Sequence, residues 1–145
     1  MQIKPTSVYS STVSVNPMRV LLVEDSLLIR NTLIEILDSS SDLTVNGIAT
    51  TQNTAIALLD EQQFDMLLVD IELAQGNGFE VIKHTQKAEY PFKAPVCVML
   101  TNHANTQYRK LASDLGVKHF FDKSMDFDVA IETIESEAAL FSGAV

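Results

Sequence analysis

Met66-Leu67-Leu68-Val69 is an apolar run that ends on a carboxylate, Asp70, and a looser segment carrying Gly76 and Gly78 follows at once. A short apolar run bounded by turn signals reads as a strand buried on both faces, the kind found in parallel sheets. A chain built round such a strand must supply helices for both sides of it. Asp70 then stands at the strand's carboxyl end, the edge of an open α/β sheet where ligands bind. On this stretch alone Asp70 could be a nucleophile, a metal ligand or a helix cap.

The rest of the chain repeats the pattern. Residues 1–18, rich in Ser, Thr, Val, Pro and Asn and without helical periodicity, read as a flexible arm, so the compact domain is expected over 19–141 with a short tail at 142–145. Arg19 to Glu24 is the first strand, and Ser26 caps a helix with Ile29, Leu33, Ile36 and Leu37 on one stripe. After the polar break Ser39 to Asp42, Leu43 to Ala49 is a second strand. Thr51 or Asn53 opens a helix with Ala55, Leu58 and Leu59 on one face. Asp65 to Asp70 is strand three, and a weaker helix covers Phe79 to Lys87. Pro91 and Pro95 lead to strand four, Val96 to Leu100. The next helix carries Ala104, Tyr108, Leu111, Ala112 and Leu115 at helical spacing, with Gly116 as its stop. Val117 to Phe121 is strand five, and Asp126 caps a last helix whose inner face is Ile131, Ile134, Ala138 and Phe141.

Strands alternating with helices are joined by right-handed crossovers into a parallel sheet with helices on both faces. All strand ends that precede a helix then lie at one edge. Glu24 and Asp25, Asp70, Thr101 and Lys123 stand at four such ends, which makes a site rather than a coincidence.

Composition narrows what that site can serve. The 145 residues suffice for one domain with one core, and 46% hydrophobic against 20% charged residues describes a soluble globular chain. No apolar run approaches membrane-spanning length and the first eighteen residues lack a secretory core, so a cytoplasmic location is expected. The net charge of −9 argues against unaided nucleic-acid binding. Cys97 lies inside an apolar run and reads as packing, and His84, His103 and His119 have no zinc-ligand spacing.

Three carboxylates at one edge repel unless a cation neutralises them, and a hard divalent ion such as Mg2+ takes oxygen ligands of this kind. Lys123 and Thr101 add a positive charge and a hydroxyl suited to phosphoryl oxygens. The set amounts to a phosphoryl-transfer site with a carboxylate nucleophile. Glu24 and Asp25 taken alone could instead cap the first helix. Phe120 could be plain core, because Phe121 beside it is equally apolar.

Val23-Glu24-Asp25-Ser26, Leu68-Val69-Asp70, Gly78, Met99-Leu100-Thr101 and Phe121-Asp122-Lys123, in register from about Arg19 to Phe141, resemble the receiver domain of two-component response regulators. The resemblance implies a flavodoxin-like (βα)5 three-layer sandwich, α/β, with a parallel five-stranded sheet of order 2-1-3-4-5. It implies that Asp70 accepts a phosphoryl group from a sensor histidine kinase or phosphotransfer protein, in an Mg2+-dependent reaction the domain itself catalyses and later reverses by hydrolysis. Asp25 would hold the metal directly, Glu24 through water, with Asp70 and the backbone carbonyl of Glu72 completing the ligands. Thr101 and Lys123 would contact phosphoryl oxygens. Thr101 and Phe120 would form the switch that alters the surface of the fourth helix, fifth strand and fifth helix, where a downstream protein or a second phosphorylated copy would dock.

Four positions depart from the family pattern. Ser124 replaces the proline usually joined to the lysine by a cis peptide, so either strain is stored or the bond is trans and Lys123 is aimed differently. Ala74 replaces a proline and is expected to leave its loop freer. Asn102 is expected to narrow access to Asp70, and Glu72 to add negative charge at the rim. Asn102 and Glu72 are therefore expected to alter the phosphate's lifetime. A receiver-like interaction module that takes no phosphate is the alternative. A haloacid-dehalogenase-type phosphatase wants a second aspartate where this chain has Glu72, and a flavodoxin-like electron carrier is disfavoured because the carboxylate edge would repel a flavin phosphate.

Overall fold

The computed structural model describes residues 16–143. The proposed arm up to residue 15 and the last two residues of the tail lie outside the described residues. Strands β1 (Met18–Val23), β2 (Leu43–Ala49), β3 (Met66–Val69), β4 (Val96–Thr101) and β5 (His119–Asp122) alternate with helices α1 (Leu27–Leu37), α2 (Gln52–Glu61), α3 (Gly78–His84), α4 (Thr106–Asp114) and α5 (Phe127–Ser142). The strands form one parallel sheet in the order β2-β1-β3-β4-β5. This is the flavodoxin-like order.

Strand alternation divides the core into two layers. Val20, Leu22, Met66, Leu68, Val98 and Leu100 face Leu33 and Leu37 of α1 and Ala130, Ile134 and Ala138 of α5. Leu21, Val23, Leu67, Val69 and Met99 face the other way, onto Ala55, Leu59, Val81, Ile82 and Ala112 of α2, α3 and α4. All four residues of β3 are buried, as its unbroken apolar run requires. At the opposite end of the strands from Asp70, Arg19 grips Asp65 through Nε and Nη2 at 2.9 and 3.1 Å, fastening β1 to the entry of β3. Among the described residues no helix is long and apolar enough to cross a membrane.

Several details differ from the sequence reading. Met18 is the first residue of β1 and is buried, its amide bonded to the Asp42 carbonyl, and Ser142 belongs to α5. Ile34 rather than Ile36 joins the core from α1, the helix being rotated slightly from the expected stripe. Ala104 precedes α4 and Leu111 is exposed on it, leaving Ala112 as its buried residue. In α5 the buried line runs through Ala130, and Phe141 at its far end is exposed. Asp126 occupies the N-cap position of α5 but makes no capping bond; its Oδ2 accepts from the Asp122 amide at 3.1 Å instead. Ser26, Thr51, Asn77 and Asn105 cap the other four helices through their side chains.

Candidate functional site

β1 and β3 end side by side, so their following residues meet. The amide of Glu24 continues the ladder to the Ala49 carbonyl, that of Asp70 to Val23, and that of Lys123 to Thr101. Glu24, Asp70, Thr101 and Lys123 are all buried, at 2%, 7%, 0% and 9% exposure, whereas Asp25 is exposed at the rim. One carboxylate oxygen each from Glu24, Asp25 and Asp70 lie within 4.8 Å of one another. Such a group of hard oxygen donors, two buried and one reachable from solvent, fits a divalent cation.

Lys123 Nζ lies 2.8 Å from both Asp70 Oδ2 and Glu24 Oε1. The ammonium thus links the two buried carboxylates, a contact to Glu24 that the sequence did not announce. Burial opposes the charge on Lys123, but its bonds to Asp70 and Glu24 outweigh that and hold its pKa above the ordinary lysine value. Burial likewise pushes the Glu24 carboxyl above the usual carboxylate range, against the pull of Lys123 and the Ser26 amide, with Asp70 adding to the rise. For Glu24 burial wins over its bonds, and for Lys123 the bonds to two carboxylates win over burial. The other oxygen of Asp70, Oδ1, accepts the Ile71 amide at 2.7 Å.

The loop after β3 is drawn tight. Asn77 caps α3, and at Gly78 a Cβ would overlap the Asp70 carbonyl oxygen and stand 2.9 Å from Val69 Cγ2. Close approach, not an unusual backbone angle, is what Gly78 supplies; Gly76, with φ of 76°, is the residue whose angle demands glycine. The Ala74 N–H, which a proline would lack, donates to the Thr50 carbonyl at 3.0 Å and ties the loop, and Gln52 reaches across to accept the Asn77 amide at 3.1 Å.

The turn after β5 resolves the question raised at Ser124. Among the described residues no peptide bond is cis. Asp122 Oδ1 accepts from the Ser124 amide at 2.8 Å, from Ser124 Oγ at 2.7 Å and from the Met125 amide at 3.2 Å. These bonds hold the Asp122 carboxyl below its ordinary value, the Ser124 hydroxyl first among them. An Asx-type turn that uses the N–H of Ser124 replaces the one a proline would make, and Lys123 still points at Asp70.

Thr101 Oγ1 accepts the His103 amide at 3.0 Å. His103 Nε2 in turn lies 3.0 Å from Glu72 Oε1, bridging the loops that follow β4 and β3 across the mouth of the site. The Glu72 carboxylate is mostly exposed, paired with His103, and is not part of the acidic cluster. Asn102 is exposed at the same rim. The Glu72–His103 pair went unnoticed in the sequence, although each residue stands two places beyond a site residue on neighbouring strands. Phe120 pairs with Met99 and lies on the same face of the sheet as Thr101, two residues further along β4, whereas Phe121 turns to the α1 and α5 side. Of the two phenylalanines, only Phe120 shares a layer with Thr101.

A family model described as the response regulator receiver domain matches residues 20–135. The chain belongs to this family. Solved receivers superpose on it: the response regulator domain of Thermotoga maritima CheB has a TM-score of 0.72 at 25% identity, covering 88% of this chain and 98% of that one. The HemR receiver domain of Leptospira biflexa has a TM-score of 0.68 at 30% identity, covering 82% and 94%. Among curated relatives, protein-glutamate methylesterase/protein-glutamine glutaminase 3 of Shewanella oneidensis is 29% identical over 116 residues, 73% of this chain and 32% of that protein. Sensory transduction protein LytT of Bacillus subtilis is 28% identical over 118 residues, 81% of this chain and 47% of that protein. The chain thus spans 32% of the first of these relatives and 47% of the second.

Proposed function

We propose that this receiver takes a phosphoryl group onto Asp70 from a phosphohistidine on a sensor kinase or phosphotransfer protein. The observation that carries the reading is the contact of Lys123 Nζ with Asp70 Oδ2 at 2.8 Å inside a cluster completed by Glu24 and Asp25. Asp70 Oδ2 attacks phosphorus, the P–N bond to the donor imidazole breaks, and the departing nitrogen keeps the electron pair. The product is an acyl phosphate, which water later cleaves to aspartate and inorganic phosphate.

Each residue has a role suited to its position. Lys123 lies against the oxygen that reacts, so its ammonium meets negative charge as it gathers on the phosphoryl group. The Ile71 amide holds Oδ1 and thereby presents Oδ2. Thr101 would donate its hydroxyl to a phosphoryl oxygen after leaving the His103 amide. Glu24, Asp25, Asp70 and the carbonyl of Glu72 are the groups that would hold Mg2+, which when bound supplies neutralising charge and a template for phosphate oxygens. Movement of Thr101 would change the room beneath Phe120 and so reshape the surface of α4, β5 and α5, for a protein target or a second copy. The reading carries a cytoplasmic location, since the kinase's phosphohistidine must be reachable.

Incubation with acetyl phosphate and Mg2+, followed by intact-mass measurement, tests this. The expected result is one added phosphoryl group in the wild type, none in Asp70→Asn, and none in either after removal of Mg2+. An unmodified wild type would point instead to a receiver that acts only by binding.

A further inference from the structure

Arg109, exposed on α4, forms no ion pair among the described residues; its guanidinium carbon lies 4.9 Å from the centroid of the Phe120 ring. The neighbouring cation Lys110 is satisfied differently, by Asp114 at 3.1 Å. Asp122, the carboxylate on the same face of β5 as Phe120, is occupied by the amides and hydroxyl of its own turn. Arg109 acts on that carboxylate only through space, helping to lower its pKa, makes no ion pair with it, and lies over the ring. Phe120 is half-buried, packed on its inner side against the layer that includes Tyr108, Leu115 and Val117. The ring thus packs against that layer and carries a cation as well.

This arrangement coexists with Thr101 Oγ1 tied to the His103 amide. A ring that turned inward behind a moving Thr101 would leave the guanidinium, which stays in water on its helix. The attraction between a guanidinium and an aromatic face is then present in one ring orientation and lost in the other, and a contact with such a difference biases the equilibrium between them.

We propose that Arg109 is a positioning residue for the switch, a latch that holds Phe120 in the orientation seen here and thereby weakens the coupling of this surface to phosphorylation. The proposal rests on the functional reading above, because it takes Thr101 and Phe120 as the moving pair. A cation–π contact at an exposed position corresponds to a two- to five-fold shift in an equilibrium, roughly. By linkage, removal of the latch should strengthen binding of a phosphoryl analogue by up to the same factor.

The test uses the full chain with ring-labelled phenylalanine, followed by NMR while beryllium fluoride is titrated in the presence of Mg2+. In Arg109→Ala the Phe120 resonance should move part of the way to its analogue-bound position before any analogue is added, and the analogue should bind more tightly, by up to about two- to five-fold. Arg109→Lys should fall between Arg109→Ala and wild type, and affinity for Mg2+ alone should not change. Lys110→Ala removes a charge of the same sign from the same helix and should change nothing. If the wild type binds the analogue and its Phe120 ring moves, but Arg109→Ala matches it in resonance and affinity, the latch is overturned and the receiver reading stands. An equal effect from Lys110→Ala also overturns it, since the cause would then be net charge. A wild type that binds no beryllium fluoride, or whose Phe120 ring stays still when it does, overturns the underlying reading and the latch together.

Discussion

Asp70 is gripped at both oxygens, by the Ile71 amide at 2.7 Å and by Lys123 at 2.8 Å, and each grip has its own consequence when removed. Lys123→Met leaves Glu24 and Asp70 buried without their ammonium. Breaking a buried pair from one side costs about 3–5 kcal/mol. In Mg2+-free buffer at neutral pH the urea midpoint should fall accordingly, and added Mg2+ should recover more stability in the variant than in the wild type. An equal response to Mg2+ in both proteins would mean that the ammonium and the metal do not share these oxygens. Gly78 limits the site from its other side. Gly78→Ala forces a methyl group against the Asp70 carbonyl and Val69. Overpacking of this kind costs about 1–3 kcal/mol, measurable as a lower urea midpoint, because the neighbours on one side are main chain and yield little.

At the scale of elements, the loop joining β3 to α3 is a clamp. Its amides and carbonyls reach the start of α2 through Ala74 to Thr50 at 3.0 Å, Gln52 to Gln75 at 2.8 Å, and Asn77 to Gln52 at 3.1 Å. Ala74→Pro removes the first of these donors. It should cost about 0.5–1.5 kcal/mol in urea unfolding, the net worth of one hydrogen bond. An unchanged midpoint would show the loop to be as free as the residue type alone had implied. The order and kind of the elements were legible because burial on two faces, helical stripes and capping residues are local signals. The clamp was not, since it joins residues more than twenty positions apart, mostly through backbone groups that every sequence has. The same holds for Glu72 and His103, whose pairing depends on two loops meeting. If that bridge shields the acyl phosphate, Glu72→Ala and His103→Ala should change its decay rate in the same direction, with the double variant adding little beyond either. Asn102→Ala, acting outside the bridge, should combine with them independently. Decay of the phosphorylated protein followed by mass measurement would decide it, and unchanged lifetimes would remove these residues from the rate.

For the whole molecule, the sheet edge at Asp70 gathers the buried acidic cluster while the periphery answers to pH. The receiver carries a net charge of −9, so its few cations matter for where its carboxylates settle. At the outer strand, Glu137 of α5 accepts from Lys118 and from His119, each at 2.8 Å, and so ties the last helix to β5 beside the face assigned to signalling. Burial tends to raise the Glu137 carboxyl, but its bonds to Lys118 and His119 outweigh that and hold it below the ordinary value of 4.5. A carboxyl lowered in the folded state stabilises the fold above its unfolded pKa and loses that contribution as pH falls through the folded one. The loss therefore begins near pH 4.5 and continues below it. Glu137→Gln keeps the shape and removes the charge, so it should cost about 1 kcal/mol at neutral pH, between an exposed pair and a charge-assisted hydrogen bond. Urea midpoints measured from neutral pH into the acid range should show the two proteins converging below pH 4.5, because the wild type gives up what the variant never had. Curves that stay parallel through that range would place the acid sensitivity of the α5 contact in some group other than Glu137.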